Sequence, residues 1–256
     1  LSRFGLMENL GLMSDLLDVL YRDEHLIAIH KPAGLLVHRT VLDRHETRFA
    51  VQLLRDQIGQ RVYPAHRLDR GTSGVLLFAL DRETAHALGT QFETQQIDKT
   101  YLALVRGHPP EAGRIDHALS RQYDDYEFRP PDTVGEAQQA VTHYHRLAIA
   151  ELPYRVDRYP SSRYALLELK PETGRRHQLR RHLKHLAHPI IGDATYGKGR
   201  HNRLFQELFA CHRLLLACLS MRLTHPVSGQ SLALSAPLAD DFSSVIAALG
   251  WSFKPS

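Results

Sequence analysis

The stretch His66-Arg67-Leu68-Asp69-Arg70-Gly71-Thr72-Ser73-Gly74-Val75-Leu76-Leu77-Phe78-Ala79-Leu80 sets a turn-forming run directly before an unbroken apolar one. An apolar run of that length reads as a strand buried on both faces. Asp, Gly, Thr and Ser ahead of it favour a turn, because their side chains bond nearby backbone or relax its sterics. Asp69 therefore stands at the entry to a core strand, between Arg67 and Arg70. Taken alone it is a capping carboxylate; held by a rigid element at the mouth of a cleft, it is a candidate nucleophile.

Working outward, Leu16 to Tyr21 and Leu26 to His30 read as a hairpin around Arg22-Asp23-Glu24-His25, and Lys31-Pro32-Ala33-Gly34 then breaks the chain. Arg48 to Ile58 repeats apolar residues near helical spacing, as does the segment carrying Ala85, Leu88 and Phe92. Strands are expected at Thr100 to Val105, Val141 to Ala148, Tyr164 to Leu169 and Ser231 to Ser235, with a capped terminal helix from Asp240 to Leu249. The stretch from Arg106 to Gln139, with paired prolines at 109–110 and 130–131, is expected to be an irregular surface excursion. Strands and helices mix without strict alternation, so the fold class is α+β, with a central mixed or mostly antiparallel sheet flanked by helices.

At 256 residues the chain can bury a large core without a metal or disulfide staple. Charged residues at 23% and hydrophobic ones at 43% exclude a mainly disordered chain. No apolar run approaches the roughly 20 residues that span a bilayer, so no membrane association is expected. Residues 1–14 read as a frayed leader rather than a secretion signal, and residues 15–256 as one domain. Cys211 and Cys218, both in apolar surroundings, read as buried reduced thiols of a cytoplasmic protein.

A second segment stands apart by its charge. From Arg175 to His188 there are five Arg or Lys and four His with no carboxylate among them, in a chain whose net charge is only +4. Such a cluster attracts a polyanion. A helix expected from about Arg175 has Leu179, Leu183 and Leu186 on an apolar face and Arg176, Arg180 and Lys184 along another stripe. That is also the pattern of an ordinary solvated basic face. Arginines in a first helical turn, however, oppose the macrodipole, a conflict that a carboxylate or phosphate would resolve. The histidines at 177, 182, 185 and 188 do not read as a metal site, since the neighbouring guanidiniums repel a dication and no acidic or thiolate ligand is near. Tyr101 reads as a core aromatic, or as a platform for an extruded base.

These segments, in this order, resemble the RluA-type pseudouridine synthases. Lys31 to His38 resembles their entry motif, His66 to Gly74 the catalytic-Asp motif, the Tyr101 strand the second motif, Thr173 to Leu183 the third, and His188-Pro189-Ile190-Ile191-Gly192-Asp193 the segment after it. Leu36-Val37-His38-Arg39, Ala140 to Tyr144, Arg158-Tyr159-Pro160 and Arg163-Tyr164 resemble the subgroup acting on uridine 65 of tRNA, in the acceptor and T-stem region. One departure is Leu216-Ala217-Cys218, where family members often have Leu-His-Ala. Many relatives carry an N-terminal S4 RNA-binding domain, and none is expected here.

What the resemblance implies is an isomerase (an intramolecular transferase) that flips one uridine out of RNA and rebonds it through carbon, with a cleft across the sheet as its active site. Asp69 would be the nucleophile, Arg180 its ion-pair partner, Leu179 part of the pocket wall, Tyr101 the support of the ring, and Arg67 the filler of the vacated stack. Arg175, Arg176 and Lys184 are expected phosphate contacts from charge and position. No cofactor, metal or ATP is required by the chemistry. The expected partner is tRNA, with ribosomal RNA as the alternative, and a monomer is the default. Two other classes remain open on residues alone: a noncatalytic RNA-binding module using the same basic segment, and a hydrolase working through the histidines.

Overall fold

The computed structural model describes residues 16–38, 46–122 and 136–253; the leader expected at 1–14 lies outside them. Strands β1 (Asp18–Arg22) and β2 (Leu26–Lys31) form the opening hairpin. Its turn is built by one side chain: Asp23 accepts from the backbone N–H of His25 and Leu26, both at 2.7 Å, from the Tyr21 hydroxyl at 2.5 Å, and from His225 Nε2 at 2.8 Å. A residue more than two hundred positions downstream is thereby tied to the first turn.

Helix α1 (Ala50–Ile58) and the two-residue β3 (Tyr63–Pro64) lead to β4 (Ser73–Ala79), whose residues are all buried, as its unbroken apolar run requires. Next come α2 (Arg82–Glu93), capped by Asp81 through the Thr84 N–H at 2.7 Å, and β5 (Asp98–Arg106). Residues 123–135 of the expected excursion lie outside the described residues; the described parts, 106–122 and 136–139, are more ordered than their sequence suggests. Ala112–Asp116 forms β6, and Leu119–Ser120 and Ala137–Gln138 pair as β7 and β8. The backbone here is edge strand, which tolerates glycine and charge because one side of it faces solvent. The long hairpin β9 (Val141–Leu152) and β10 (Ser162–Pro171) follows, then α3 (Gln178–His185), α4 (Gly199–Phe209), β11 (Leu216–Thr224), β12 (Ser231–Ser235) and α5 (Asp240–Ala248).

The main sheet runs β1-β2-β4-β11-β5-β10-β9-β6, with β12 on β11 and β3 on β4. Every pairing is antiparallel except β4 with β11, where Ser73 and Gly74 lie against Ala217 and Cys218. At that junction Gly74 has φ 111°, and a β-carbon there would fall 2.0 Å from the Cys218 carbonyl oxygen. Glycine is the only residue that lets the two backbones approach.

Side-chain alternation divides the core between the two faces of the sheet. On β5, Tyr101, Ala103 and Val105 join a core shared with α1, α2 and α3, while Leu102 and Leu104 join one shared with Phe205 of α4 and Phe242 of α5. Helix α3 buries Leu179 and Leu183 as its spacing implies. Cys211 and Cys218 are buried free thiols, and no helix among the described residues is long and apolar enough to cross a membrane.

Burial alone would raise the pKa of Asp23, but the bonds from Tyr21, the two backbone N–H groups and His225 outweigh it and hold the carboxyl at about 2. A carboxyl depressed in the folded state stabilises the fold above its ordinary value and ceases to do so as pH falls through the depressed one. Asp23→Asn is therefore expected to lower stability by about 1–2 kcal/mol at pH 7 after allowance for partial solvent exposure. In denaturant titrations the difference from the parent protein should shrink toward zero between pH 4 and pH 2.

Candidate active site

Asp69 sits in the loop between β3 and β4, in a turn closed by the Thr72 N–H on its carbonyl at 3.0 Å. Behind the turn lies a wholly buried lysine, Lys31 at the end of β2. Its ammonium donates to the carbonyls of Pro32 at 2.9 Å, Leu35 at 2.7 Å and Arg70 at 3.2 Å, which matches its three protons one for one. Burial draws its pKa down to about 7, against the pull of the Asp69 charge. Gly34 and Arg70 complete the staple: the Gly34 N–H reaches the Arg70 carbonyl at 2.8 Å, and Arg70 Nε returns to the Gly34 carbonyl at 3.0 Å. His66 backs the turn as a packing group. Burial pushes it down to about 3, and its neutral Nε2 accepts the Leu77 N–H at 3.1 Å.

The partner of Asp69 arrives from α3. The helix was expected from about Arg175 but begins at Gln178, because His177 takes a left-handed backbone, φ 55°, at its N-cap. Residues 173–177 form a loop gathered by one buried glutamine. Gln178 accepts from the Thr173 hydroxyl and the Arg175 N–H, and donates to the Val141 carbonyl and Thr142 Oγ1. Arg175 and Arg176 thus precede the helix, and the arginines of its first turn are Arg180 and Arg181.

Arg180 Nη1 bonds Asp69 Oδ2 at 3.0 Å, while Nε and Nη2 grip Asp193 Oδ2 and Oδ1 at 2.7 and 2.9 Å. Two carboxylates therefore answer the conflict between Arg180 and the helix dipole. They differ in exposure: the Asp193 side chain is fully buried, whereas Asp69 keeps 20% of its side chain open. Asp193 is held by the N–H groups of Thr195 and Tyr196, each at 2.9 Å. Burial opposes its charge, and Arg180 with those two N–H groups overcomes that and lowers its pKa. Burial likewise opposes the charge of Arg180, and the two carboxylates drive its pKa above the ordinary arginine value. The triad as a whole carries one negative charge.

Two cavities meet at Asp69. One, of about 410 Å³, has Tyr101, Leu179, Leu216 and Thr72 on its walls with Lys99, and Arg67, Arg121, Arg175 and Arg176 around it. The other, of about 740 Å³, lies toward His38, His212 and Arg213. Arg67, Asp69, Arg176, His177 and Arg180 line both. Tyr101 is buried opposite Cys218 of β11. Burial, the Cys218 contact and the Asp69 charge raise its pKa well above 10, so the phenol keeps its proton.

Of the residues singled out from sequence, Asp69, Arg180, Tyr101, Arg67, Leu179, Arg175 and Arg176 are brought to the 410 Å³ cavity. Lys184 is not: it is exposed, with its ammonium 5.6 Å from the Tyr196 ring centre. The basic stripe expected along the helix is broken, because Arg180 turns inward. The four histidines do not converge on one point, although His182 and His185 share His117 as a neighbour. His177 joins the site, His182 is buried on Thr142 and the His117 carbonyl, His185 stacks on His117 at 3.7 Å, and His188 bonds the Arg106 carbonyl. Asp193 and Tyr196 were not anticipated as part of the site. Asp193 had one signal, as an acid just beyond a basic helix that needed an anion.

A family model described as RNA pseudouridylate synthase matches residues 25–185. The chain is 48% identical over 235 residues to a tRNA pseudouridine synthase C of Vibrio parahaemolyticus serotype O3:K6, covering 92% of this chain and 96% of that protein. With a tRNA pseudouridine synthase C of Pectobacterium carotovorum subsp. carotovorum it shares 52% identity over 238 residues, which is 92% of this chain and 63% of that relative's length. Among solved structures, human RNA Pseudouridylate Synthase Domain Containing 4 superposes with a TM-score of 0.67 at 28% identity, over 98% of each chain.

Removing one partner of a buried ion pair leaves the other charge uncompensated. Asp193→Ala is expected to cost about 3–5 kcal/mol in denaturant unfolding. It should also lower whatever turnover depends on Asp69, since Arg180 then has a single carboxylate to set its position.

Proposed function

The chain belongs to the RNA pseudouridylate synthase family, and on that premise we propose that it isomerises a uridine of tRNA to pseudouridine. It has the family's mostly antiparallel sheet with flanking helices. The reaction breaks the bond from C1′ to N1 and makes one from C1′ to C5; N1 gains a proton and C5 loses one, with no change of redox state. The observation that carries this reading is the Asp69–Arg180 pair at 3.0 Å on the wall of a cavity lined by Tyr101 and Leu179.

In this reading Asp69 is the nucleophile, engaging the base or the sugar of the flipped nucleotide. Arg180 orients it, and Asp193 orients Arg180. Tyr101 and Leu179 bound the slot for the detached uracil, which keeps it beside C1′ until it rebonds. Flipping costs a few kcal/mol in lost stacking and pairing, which phosphate and base contacts offset. Arg67, exposed at the junction of the two cavities, is placed to fill the vacated stack. Arg175 and Arg176 border the cavity as phosphate contacts, and Lys184 extends the positive surface beyond it.

Residue 65 of tRNA is the target we favour, supported by the subgroup-like segments around Val37-His38-Arg39 and Arg158-Tyr159-Pro160. tRNA as substrate in turn supports the cytoplasm as the place of action.

The test is tritium release from tRNA carrying 5-tritiated uridine, since C5 gives up its hydrogen only when rebonded. The protein should release tritium from a tRNA transcript and not from one with cytidine at position 65. Asp69→Asn should bind tRNA within about twofold of the parent and release none, as expected of a group acting on the transition state alone. Release from ribosomal RNA instead would overturn the tRNA assignment, and binding without release by the parent protein would overturn the enzyme.

A further inference from the structure

His177 stands where the left-handed backbone, the two cavities and Asp69 meet, and no step above uses it. Its φ of 55° is strained for a residue with a β-carbon. Glycine would hold that backbone without strain, so the reason for a histidine lies in its ring.

The ring is fixed from behind. Tyr196 OH lies 3.0 Å from Nδ1, with the two rings edge to face at 5.7 Å, and Gln122 Nε2 donates to the Tyr196 oxygen at 3.2 Å. The phenol proton has two acceptors in reach, Gln122 Oε1 at 3.4 Å and Nδ1 at 3.0 Å, and we assign it to the nearer, Nδ1. A neutral imidazole that accepts on Nδ1 carries its hydrogen on Nε2. Nε2 is the atom that faces Asp69, 3.8 Å from Oδ1, on the oxygen that Arg180 leaves unoccupied. The charged groups around the ring are Asp69 from the turn, Arg176 and Arg180 from α3 and its approach, and Asp193 from the segment after it. Burial lowers the pKa of His177 first, the two arginines add to that, and the two carboxylates oppose it; the ring is neutral at pH 7.

We propose that His177 is a positioning residue for Asp69: its Nε2–H, aimed by Tyr196 and Gln122, holds Oδ1 while Arg180 holds Oδ2, fixing the carboxylate against the uridine cavity. At 3.8 Å in the free protein the pair is longer than a hydrogen bond, so the proposed bond is one that forms in the substrate complex, where catalytic hydrogen bonds tighten. The proposal rests on the pseudouridine synthase reading. It adds a second hold on the nucleophile, one that restricts rotation, where Arg180 alone leaves the carboxylate free to swing.

The strain supplies a test that separates positioning from folding. His177→Gly relieves the backbone and should melt at or above the parent temperature. It should bind tRNA within about twofold of the parent, yet release tritium with kcat lowered roughly 10²-fold, the cost of a misoriented reacting group. Added imidazole should restore part of that rate. Tyr196→Phe, which keeps the ring and frees its tautomer, should lose a smaller part of kcat with KM unchanged. The proposal is overturned if His177→Gly keeps kcat within about threefold of the parent. It is equally overturned if the loss follows melting temperature or tRNA affinity, or does not respond to imidazole. No tritium release by the parent protein on any RNA would instead overturn the function on which the proposal rests.

Discussion

The structure turns on a single guanidinium shared by two carboxylates. Arg180 joins Asp69, 111 residues before it, to Asp193, 13 residues after it. A lone buried ion pair gains little over its desolvation cost. Three charges with backbone donors behind them form a different object: the geometry of each is set by the other two. The excess of one negative charge falls on the more open member, Asp69, because Asp193 has its oxygens filled by Arg180, Thr195 and Tyr196. That division encloses Asp193 and leaves Asp69 as the acid that faces the two cavities.

Charge could not do this on a mobile loop. The turn that carries Asp69 is bolted to β2 by Lys31 on one side and runs directly into fully buried β4 on the other. The bolt is an amino group whose hydrogen bonds all go to carbonyls, so it lies behind Asp69 without competing with Arg180 for its carboxylate. Where β4 meets β11, Gly74 permits the one parallel contact of the main sheet. That contact sets Leu216 at the cavity and Cys218 against Tyr101. Backbone proximity at one glycine thus aligns the walls of the cavity with the acid at its edge.

Much of this was legible in the chain. The apolar run after Asp69 has the length and continuity of a buried strand, and the periodicities at 50–58 and 82–93 are helical. The pairing of Asp69 with Arg180 was implied by the family resemblance, and the two side chains meet at 3.0 Å. What was not legible depends on tertiary context. The segment 199–209 opens on Gly-Arg-His-Asn-Arg and gives no apolar stripe until Leu204, so α4 went unread. Strand β11 is apolar on both faces with a register shift between Cys218 and Ser220, which blurs any period of two. The late start of α3 depends on the αL residue His177, and histidine, unlike glycine, gives no signal of that conformation. Asp193 lay inside a quoted motif, but its partner is chosen by the turn at 192–197, which charge counting does not see.

The departure at 216–218 shows how strand parity decides what a substitution reaches. Along β11, Leu216 and Cys218 point to the core shared with α3, and Ala217 to the opposite one. Ala217 pairs with Leu102, whose side chain also lies on the far face, away from Tyr101 and the cavity. Any larger side chain there would share that far-face cluster with Phe205 and Leu215, across the sheet from Asp69. Ala217 thus bears on the packing of α4 and α5 against the sheet, on the face away from the acid, its arginine and the phenol. The neighbouring Cys218 lies on the other face. Cys218 lies against Tyr101 with its thiol pKa raised by burial to about 12, so the sulfur stays protonated and meets the phenol as a neutral, polarisable neighbour rather than as a second charge beside Asp69.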